Sequence, residues 1–254
     1  MRVICQKHNI EYETEVVNHL GWKLNAICPK CADEIRERED EEERKRAREQ
    51  KIAALQKMNI EPEYYDASIE NFAITSPEMK KNVSLVQKLI DGKIRELVMI
   101  GGNGTGKTHL AAAAVKALRG KIYSMYEITT RIRSTYAPRA SETELEVVDE
   151  LARTPILAID EIGRTKGSGA ELDRLSYIID KRHVRNLPTI LISNKHLRRD
   201  CPSSGCPNCF DNYIGEDVMS RLFECGLVLH FSGSDYRKTS KNFAKLPEKS
   251  SIVQ

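Results

Sequence analysis

Residues 101–108 read Gly101-Gly102-Asn103-Gly104-Thr105-Gly106-Lys107-Thr108, which fits the spacing G-x-x-x-x-G-K-[ST]. The flanks constrain what surrounds this run. Leu97-Val98-Met99-Ile100 is a short apolar stretch suited to a buried strand, and His109 to Arg119, rich in alanine and leucine, reads as a helix. A strand, a glycine-rich turn and a helix in that order leave backbone N–H groups free to close around phosphate oxygens. Lys107 would meet the β- and γ-phosphates of a nucleotide, and the Thr108 hydroxyl would ligate Mg²⁺. A chance glycine-rich turn is the plain alternative, and the strand and helix flanks argue against it.

A second apolar run, Ile156-Leu157-Ala158-Ile159, ends in the carboxylates Asp160 and Glu161. As a strand parallel to the first, it would bring both functional ends to one edge of a sheet. Asp160 would hold Mg²⁺, directly or through water, and Glu161 would polarise an attacking water, so the pair implies hydrolysis. The bland alternative is a helix start, where acidic residues favour the dipole. A third strand, Thr189-Ile190-Leu191-Ile192-Ser193, closes on Asn194, which is placed to orient that water, although Asn is also a common strand terminator. Val218-Met219-Ser220-Arg221-Leu222 reads as part of a helix, and Ser234-Asp235-Tyr236-Arg237 follows the last apolar strand, Leu227 to Phe231.

Taken in order, the phosphate loop, Ile159-Asp160-Glu161-Ile162-Gly163, Ser193-Asn194, the helix around Arg221 and the Asp235-Tyr236-Arg237 end resemble the DnaC/IstB group of AAA+ ATPases. The nearer likeness is to the DnaC-type helicase loaders of bacteria and phages. The phrase Tyr64 to Phe72 also looks like that family's approach to its ATPase domain, and the resemblance covers roughly 60–240. It implies a P-loop AAA+ parallel sheet flanked by helices. It further implies an ATP-switched homo-oligomer that binds single-stranded DNA and a replicative helicase. By position, Asn194 is similar to the family's sensor 1, Arg221 to its arginine finger and Arg237 to its sensor 2 arginine.

Composition fits an enzyme of the cytoplasm. With 254 residues, one core of about 180–200 residues plus a small appendage is expected. The net charge is +3, so any DNA surface must be local; Lys80, Lys81, Arg131, Arg133, Arg139, Arg198 and Arg199 are candidates, though each is also an ordinary surface cation. No run is apolar for long enough to span a bilayer and no signal peptide opens the chain, which argues against seven cysteines forming extracellular disulfides.

Cys5-x-x-His8 and Cys28-x-x-Cys31 are two ligand pairs separated by nineteen residues. Three thiolates and an imidazole make a closed tetrahedral Zn²⁺ site, and Cys28-Pro29-Lys30-Cys31 resembles a zinc knuckle. The segment between the pairs has only a few apolar residues, including Trp22 and Leu24, and could scarcely hold a fold without metal. A redox pair is disfavoured because so short a segment cannot build a thioredoxin-like unit. Asp33 to Lys51 is almost all charge, with Glu41/Lys45 and Glu42/Arg46 at helix-supporting spacing, and reads as a solvated helical linker. The expected organisation is a zinc-binding module over 1–32, the linker over 33–58, the ATPase domain over 59–244 and a frayed tail over 245–254.

A second cysteine cluster interrupts the family pattern at about 196–212. Cys206-x-x-Cys209 resembles another knuckle, and His196 and Cys201 would complete a second zinc site, with Asp211 and Cys225 as substitutes. A flexible loop of free thiols is the alternative; Cys225 otherwise reads as a packed core thiol. Lys121 to Met125 reads as a strand, and Glu127 to Tyr136, Glu142 to Ala152 and Gly169 to Arg185 as helices.

Three functions follow as expectations: an ATP-hydrolysing helicase loader in replication initiation, an IstB-like transposase helper ATPase, and a nucleotide-dependent DNA-binding adaptor. The zinc-type head favours the first over the second, and the Asp160–Glu161 pair counts against the third.

Overall fold

Along the apolar strands, alternate side chains enter opposite layers. Val98, Ile100, Leu157, Ile159 and Leu191 join one buried cluster; Leu97, Met99, Ala158, Ile190 and Ile192 join another. Period-two alternation of wholly apolar residues is what a sheet covered on both faces requires. The structure, a computed structural model, describes residues 2–13, 16–19, 22–25, 27–164, 169–201, 203, 206–233 and 235–236. Arg237 and the tail over 245–254 lie outside the described residues, as do the side chains of Trp22, Leu24, Arg221 and Cys225. The chain forms two compact units, 1–54 and 55–254.

The first unit opens with two antiparallel ribbons. β1 (Arg2–Ile4) pairs with β2 (Glu11–Glu13), and β3 (Val16–His19) with β4 (Trp22–Asn25). The helix α1 (Pro29–Lys57) begins inside the second Cys pair, with proline in the first turn where a missing N–H costs nothing. Glu41–Lys45 at 3.2 Å and Glu42–Arg46 at 3.7 Å form the expected i,i+4 pairs on a solvated shaft. Leu55 is the buried residue of α1, and with it the second unit begins.

In that unit α2 (Pro77–Ile90) precedes β5 (Glu96–Gly101), and the phosphate loop leads into α3 (Lys107–Leu118). Then come β6 (Lys121–Ser124), α4 (Met125–Ser134), α5 (Glu144–Arg153), β7 (Leu157–Asp160), α6 (Gly169–Val184) and β8 (Thr189–Ser193). A short α7 (Phe210–Ile214), α8 (Glu216–Cys225) and β9 (Gly226–Phe231) complete it. The sheet order is β6-β7-β8-β5-β9, and every neighbouring pair is parallel. β8 therefore lies between the strand that feeds the phosphate loop and the strand that ends in Asp160. All three C-terminal ends share one edge, where α/β sheets bind ligands.

Local chemistry sets the element bounds. β6 stops at Ser124 because its hydroxyl accepts from the Glu127 N–H at 3.2 Å while Glu127 Oε2 accepts from the Ser124 N–H at 2.7 Å. This reciprocal cap starts α4 at Met125, a residue whose apolar character reads equally well as strand. α3 lies close on the sheet because Ala111, Ala112 and Ala114 are fully buried and small. Arg182 on α6 is fully buried and donates to Leu151 O (2.8 Å), Thr154 O (2.7 Å), Pro188 O (2.5 Å) and Thr189 Oγ1 (2.9 Å). It ties the end of α5 and the start of β8 to α6, and burial holds its pKa below the ordinary arginine value.

Candidate functional site

Gly106 sits at φ +93°, and a Cβ there would run into the Phe72 ring, so the loop needs glycine both for its turn and for this packing. Phe72 also lies against His109, with ring centroids 5.5 Å apart, and His109 Nε2 is 3.0 Å from Ser68 O. The phrase Tyr64–Phe72 thus braces the phosphate loop from outside. Asp235 packs over Gly104, and the Tyr236 N–H donates to Gly104 O at 3.0 Å, so the chain after β9 returns to the same loop.

Lys107 is only 5% exposed and donates to Gly101 O (2.8 Å) and Gly102 O (2.6 Å). Burial pushes its pKa down to about 8, against the pull of Asp160. Two loop carbonyls are a weak counterpart for a buried ammonium, and phosphate oxygens would be a strong one. Thr108 Oγ1 donates to Asp160 Oδ2 at 2.7 Å across the gap from α3 to β7. Burial raises the Asp160 pKa; the Thr108 hydroxyl and the Glu161 N–H, which donates to Oδ1 at 2.6 Å, oppose the rise. A half-buried carboxylate beside a hydroxyl is a hard-oxygen pair suited to Mg²⁺.

Glu161 adopts φ +58°, a left-handed conformation that costs a non-glycine residue on the order of 1 kcal/mol. The next strand imposes it. The Ile162 N–H donates to Ile192 O at 3.0 Å, and Ser193 Oγ donates to Ile162 O at 2.6 Å. The turn turns the Glu161 side chain toward the site edge, where it pairs with Arg164. β8 ends at Ser193, so Asn194 stands just beyond it, exposed at the mouth. An open cavity of about 1370 Å³ gathers Asn103, Lys107, Thr108, Asp160, Glu161 and Asn194 on its walls, together with Tyr64, Phe72 and Glu127.

The first cysteine cluster is equally definite. Cys5 Sγ, Cys28 Sγ and Cys31 Sγ lie 3.6, 3.6 and 3.4 Å from His8 Nδ1, and Cys5 Sγ lies 3.6 Å from Cys31 Sγ. With zinc bonds to S and N of their usual lengths, tetrahedral edges are about 3.5 Å (S–N) and about 3.8 Å (S–S). The four side chains therefore fit zinc as they stand. The His8 backbone N–H draws the Cys5 pKa down to about 6, whereas burial and the neighbouring thiols push Cys31 up to about 11. A cation is what would allow all three to be thiolates together. Glu34 Oε1, 3.0 Å from His8 Nε2, orients the ring from behind and raises its pKa. His196, Cys201, Cys206 and Cys209 are also brought together, with ligand atoms all within 4.8 Å of one another.

The family model described as "IstB-like ATP binding protein" matches residues 32–244. The chain belongs to the IstB-like ATP-binding family. The replicative helicase loader DnaC of Escherichia coli (strain K12) is 28% identical over 171 residues, covering 64% of this chain and 65% of the loader. The chain thus spans slightly less than two thirds of that relative's length. The DnaC of Buchnera aphidicola subsp. Schizaphis graminum (strain Sg) is 26% identical over 204 residues, 75% of this chain and 79% of that one. A crystal structure of the DnaC helicase loader superposes with a TM-score of 0.57 at 22% identity, covering 68% of this chain and all of that one. At that identity the likeness concerns the fold, an AAA+ α/β sandwich.

The IstB-like match starts at Ala32, directly after Cys31, so the first cysteine cluster stands ahead of the family region and the second lies inside it. Arg221 is on α8, which packs beside β9 and β5. Among the basic candidates, Arg131 is bound to Glu142 (2.6 Å) and Glu150 (2.5 Å), and Arg133 to Glu171 (2.6 Å), which gives both a structural task. Lys80, Lys81, Arg139, Arg198 and Arg199 are exposed. Sequence reasoning missed Phe72 and His109 as braces, Glu127 as a wall and Arg164 as the partner of Glu161; the i,i+3 spacing of Glu161 and Arg164 is the one local signal for any of them. Among the described residues no helix is long and apolar enough to cross a membrane.

Proposed function

We propose that this chain is an ATP-hydrolysing helicase loader, which binds single-stranded DNA and a replicative helicase and assembles as an ATP-dependent homo-oligomer. One observation carries the reading: Thr108, Asp160, Glu161 and Asn194, from two strand ends and a helix start, wall one cavity with the phosphate loop. A binding module needs the loop alone. A carboxylate held in a fixed turn beside it is what hydrolysis adds. Backbone N–H groups of 101–106 and Lys107 would hold the phosphates of ATP, and Thr108 and Asp160 would hold Mg²⁺. The bound metal and nucleotide supply the electrophilic phosphorus and its charge screening. Glu161 would take the proton of the attacking water, and Asn194 would orient that water. Arg237 would act beside the same nucleotide, and Arg221 on one from a neighbouring subunit. Zinc on Cys5, His8, Cys28 and Cys31 would hold the N-terminal module, which would meet the helicase.

The named relatives support the loader reading because DnaC is a replicative helicase loader. The IstB-like family match keeps a transposase helper as the second reading. Affinity capture from native extract decides between them. Recovery of a replicative helicase supports the first, and recovery of a transposase without helicase replaces it. Steady-state ATP turnover with single-stranded DNA tests the enzyme: no turnover with DNA and helicase both present would leave a nucleotide-dependent adaptor.

A further inference from the structure

We propose that His196, Cys201, Cys206 and Cys209 form a second structural zinc site, inside the ATP-binding unit, that locks the segment after β8 onto α7. The four donors are spread along one loop, from His196 at its start to Cys209 at its end. Their ligand atoms lie within 4.8 Å of one another, and Cys206 Sγ stands 3.5 Å from His196 Nε2. That is the S–N edge of about 3.5 Å that a tetrahedral zinc sets. Three thiolates and one imidazole suit zinc better than the harder metals, which prefer oxygen. Cys209 is fully buried.

The loop has little else to hold it. Between His196 and Cys209 the buried apolar residue among those described is Leu197; the rest is Arg, Asp, Ser, Pro, Gly and Asn apart from the cysteines. Its base is nevertheless set for a metal. The His196 N–H donates to Asn208 O at 3.2 Å and the Phe210 N–H to His196 O at 2.8 Å, so the two ends run side by side. The Cys209 N–H donates to Cys206 O at 3.3 Å, closing the Cys206-Pro207-Asn208-Cys209 knuckle, and Asn212 Nδ2 donates to the same carbonyl at 3.1 Å. Phe210, the next residue, is fully buried in the core. Three thiols cannot all be satisfied by disulfides, since one pair leaves one over; a metal uses all of them together with the histidine.

The location gives the site its consequence. Lys195 joins Asn194 to His196. Its aliphatic chain packs over Gly163, in the turn that follows Glu161, and its Nζ donates to Pro207 O at 2.8 Å within the knuckle. Zinc here would fix the chain that follows Asn194, a wall of the nucleotide cavity. The site itself stands whether or not the chain hydrolyses ATP.

Elemental analysis of the full chain, purified without chelator, tests it. About two zinc equivalents are expected in the wild type, about one in Cys206→Ser/Cys209→Ser and about one in Cys28→Ser/Cys31→Ser. His196→Cys should keep the wild-type count, because it exchanges one zinc ligand for another. If Cys206→Ser/Cys209→Ser does not fold, the wild type still answers: titration with a mercurial reagent should release a second zinc, and chelation should speed hydrogen exchange over 197–212. A wild-type chain with one zinc that disappears in Cys28→Ser/Cys31→Ser overturns the proposal. So does mass spectrometry showing a disulfide within Cys201, Cys206 and Cys209 in native protein.

Discussion

The Thr108 hydroxyl and the Asp160 carboxylate, 52 positions apart in the chain, meet at 2.7 Å. One is the second residue of α3 and the other the last of β7, so the bond measures how helix and strand are set against each other. The residues sit where Mg²⁺ would be shared. Thr108→Val keeps the shape and removes the oxygen; turnover at low Mg²⁺ should drop by about 10²-fold and recover partly as Mg²⁺ is raised. Turnover and its Mg²⁺ dependence unchanged in this variant would remove Thr108 from the metal site.

Glu161→Gln keeps volume and loses the carboxylate proposed to act as base. ATP binding should remain near wild type while hydrolysis falls by about 10²–10⁴-fold. Arg164→Ala, by releasing Glu161 from its ion pair, should raise basal turnover. Wild-type rates in Glu161→Gln would show that the water is positioned by another group.

Lys107 gives the pH dependence. Its pKa in the free protein, about 8, is below the ordinary lysine value because of burial. The charged form is therefore penalised in the folded state at pH below about 8, and the penalty is relieved as pH rises from there toward the unfolded value. Phosphate oxygens favour the charged form, so nucleotide binding should draw a proton onto Lys107 at a pH just above 8 and weaken as pH climbs further. Calorimetry in two buffers of different ionisation enthalpy reads that proton. Lys107→Ala should bind no nucleotide productively, and binding by wild type without proton uptake would contradict the assignment.

Removing ligands from the first cysteine cluster tests whether the two units fold independently. Cys28→Ser/Cys31→Ser should lose about one zinc equivalent and the ordered signals of residues 2–31, while the unit from Leu55 onward unfolds at its wild-type temperature. A common loss of both would mean that the N-terminal module and the ATP-binding unit fold as one.

Arg221 is tested by mixing. Arg221→Ala keeps an intact phosphate loop, and Lys107→Ala keeps an intact arginine. Each should be inactive alone, yet co-assembled chains should recover part of the hydrolysis wherever a sound arginine faces a sound pocket, the transition-state role that arginine plays in phosphoryl transfer. Sizing with ATP and DNA present establishes co-assembly. Activity of Arg221→Ala alone, or none in a confirmed mixed assembly, ends the trans-acting assignment.

Local pattern determined much of this protein by itself. Four-residue apolar runs at 97–100 and 156–159 suit buried strands, and the glycine spacing at 101–108 suits close backbone approach to an anion. The pairs Cys5/His8 and Cys28/Cys31 carried their ligand chemistry in their spacing. The tertiary structure decided what depends on distant partners. The sequence does not state that β8 runs between β5 and β7, because strand order is settled by how helices cover both faces. It does not reveal that Glu161 is held at φ +58°, since that turn is imposed by Ile192 and Ser193 across the sheet. Arg182 looks like a surface cation at the end of a helix, and only the convergence of four oxygens from α5, its exit and β8 makes it a core residue. Composition and periodicity report what a residue prefers; burial and partnership are fixed only when the chain has closed on itself.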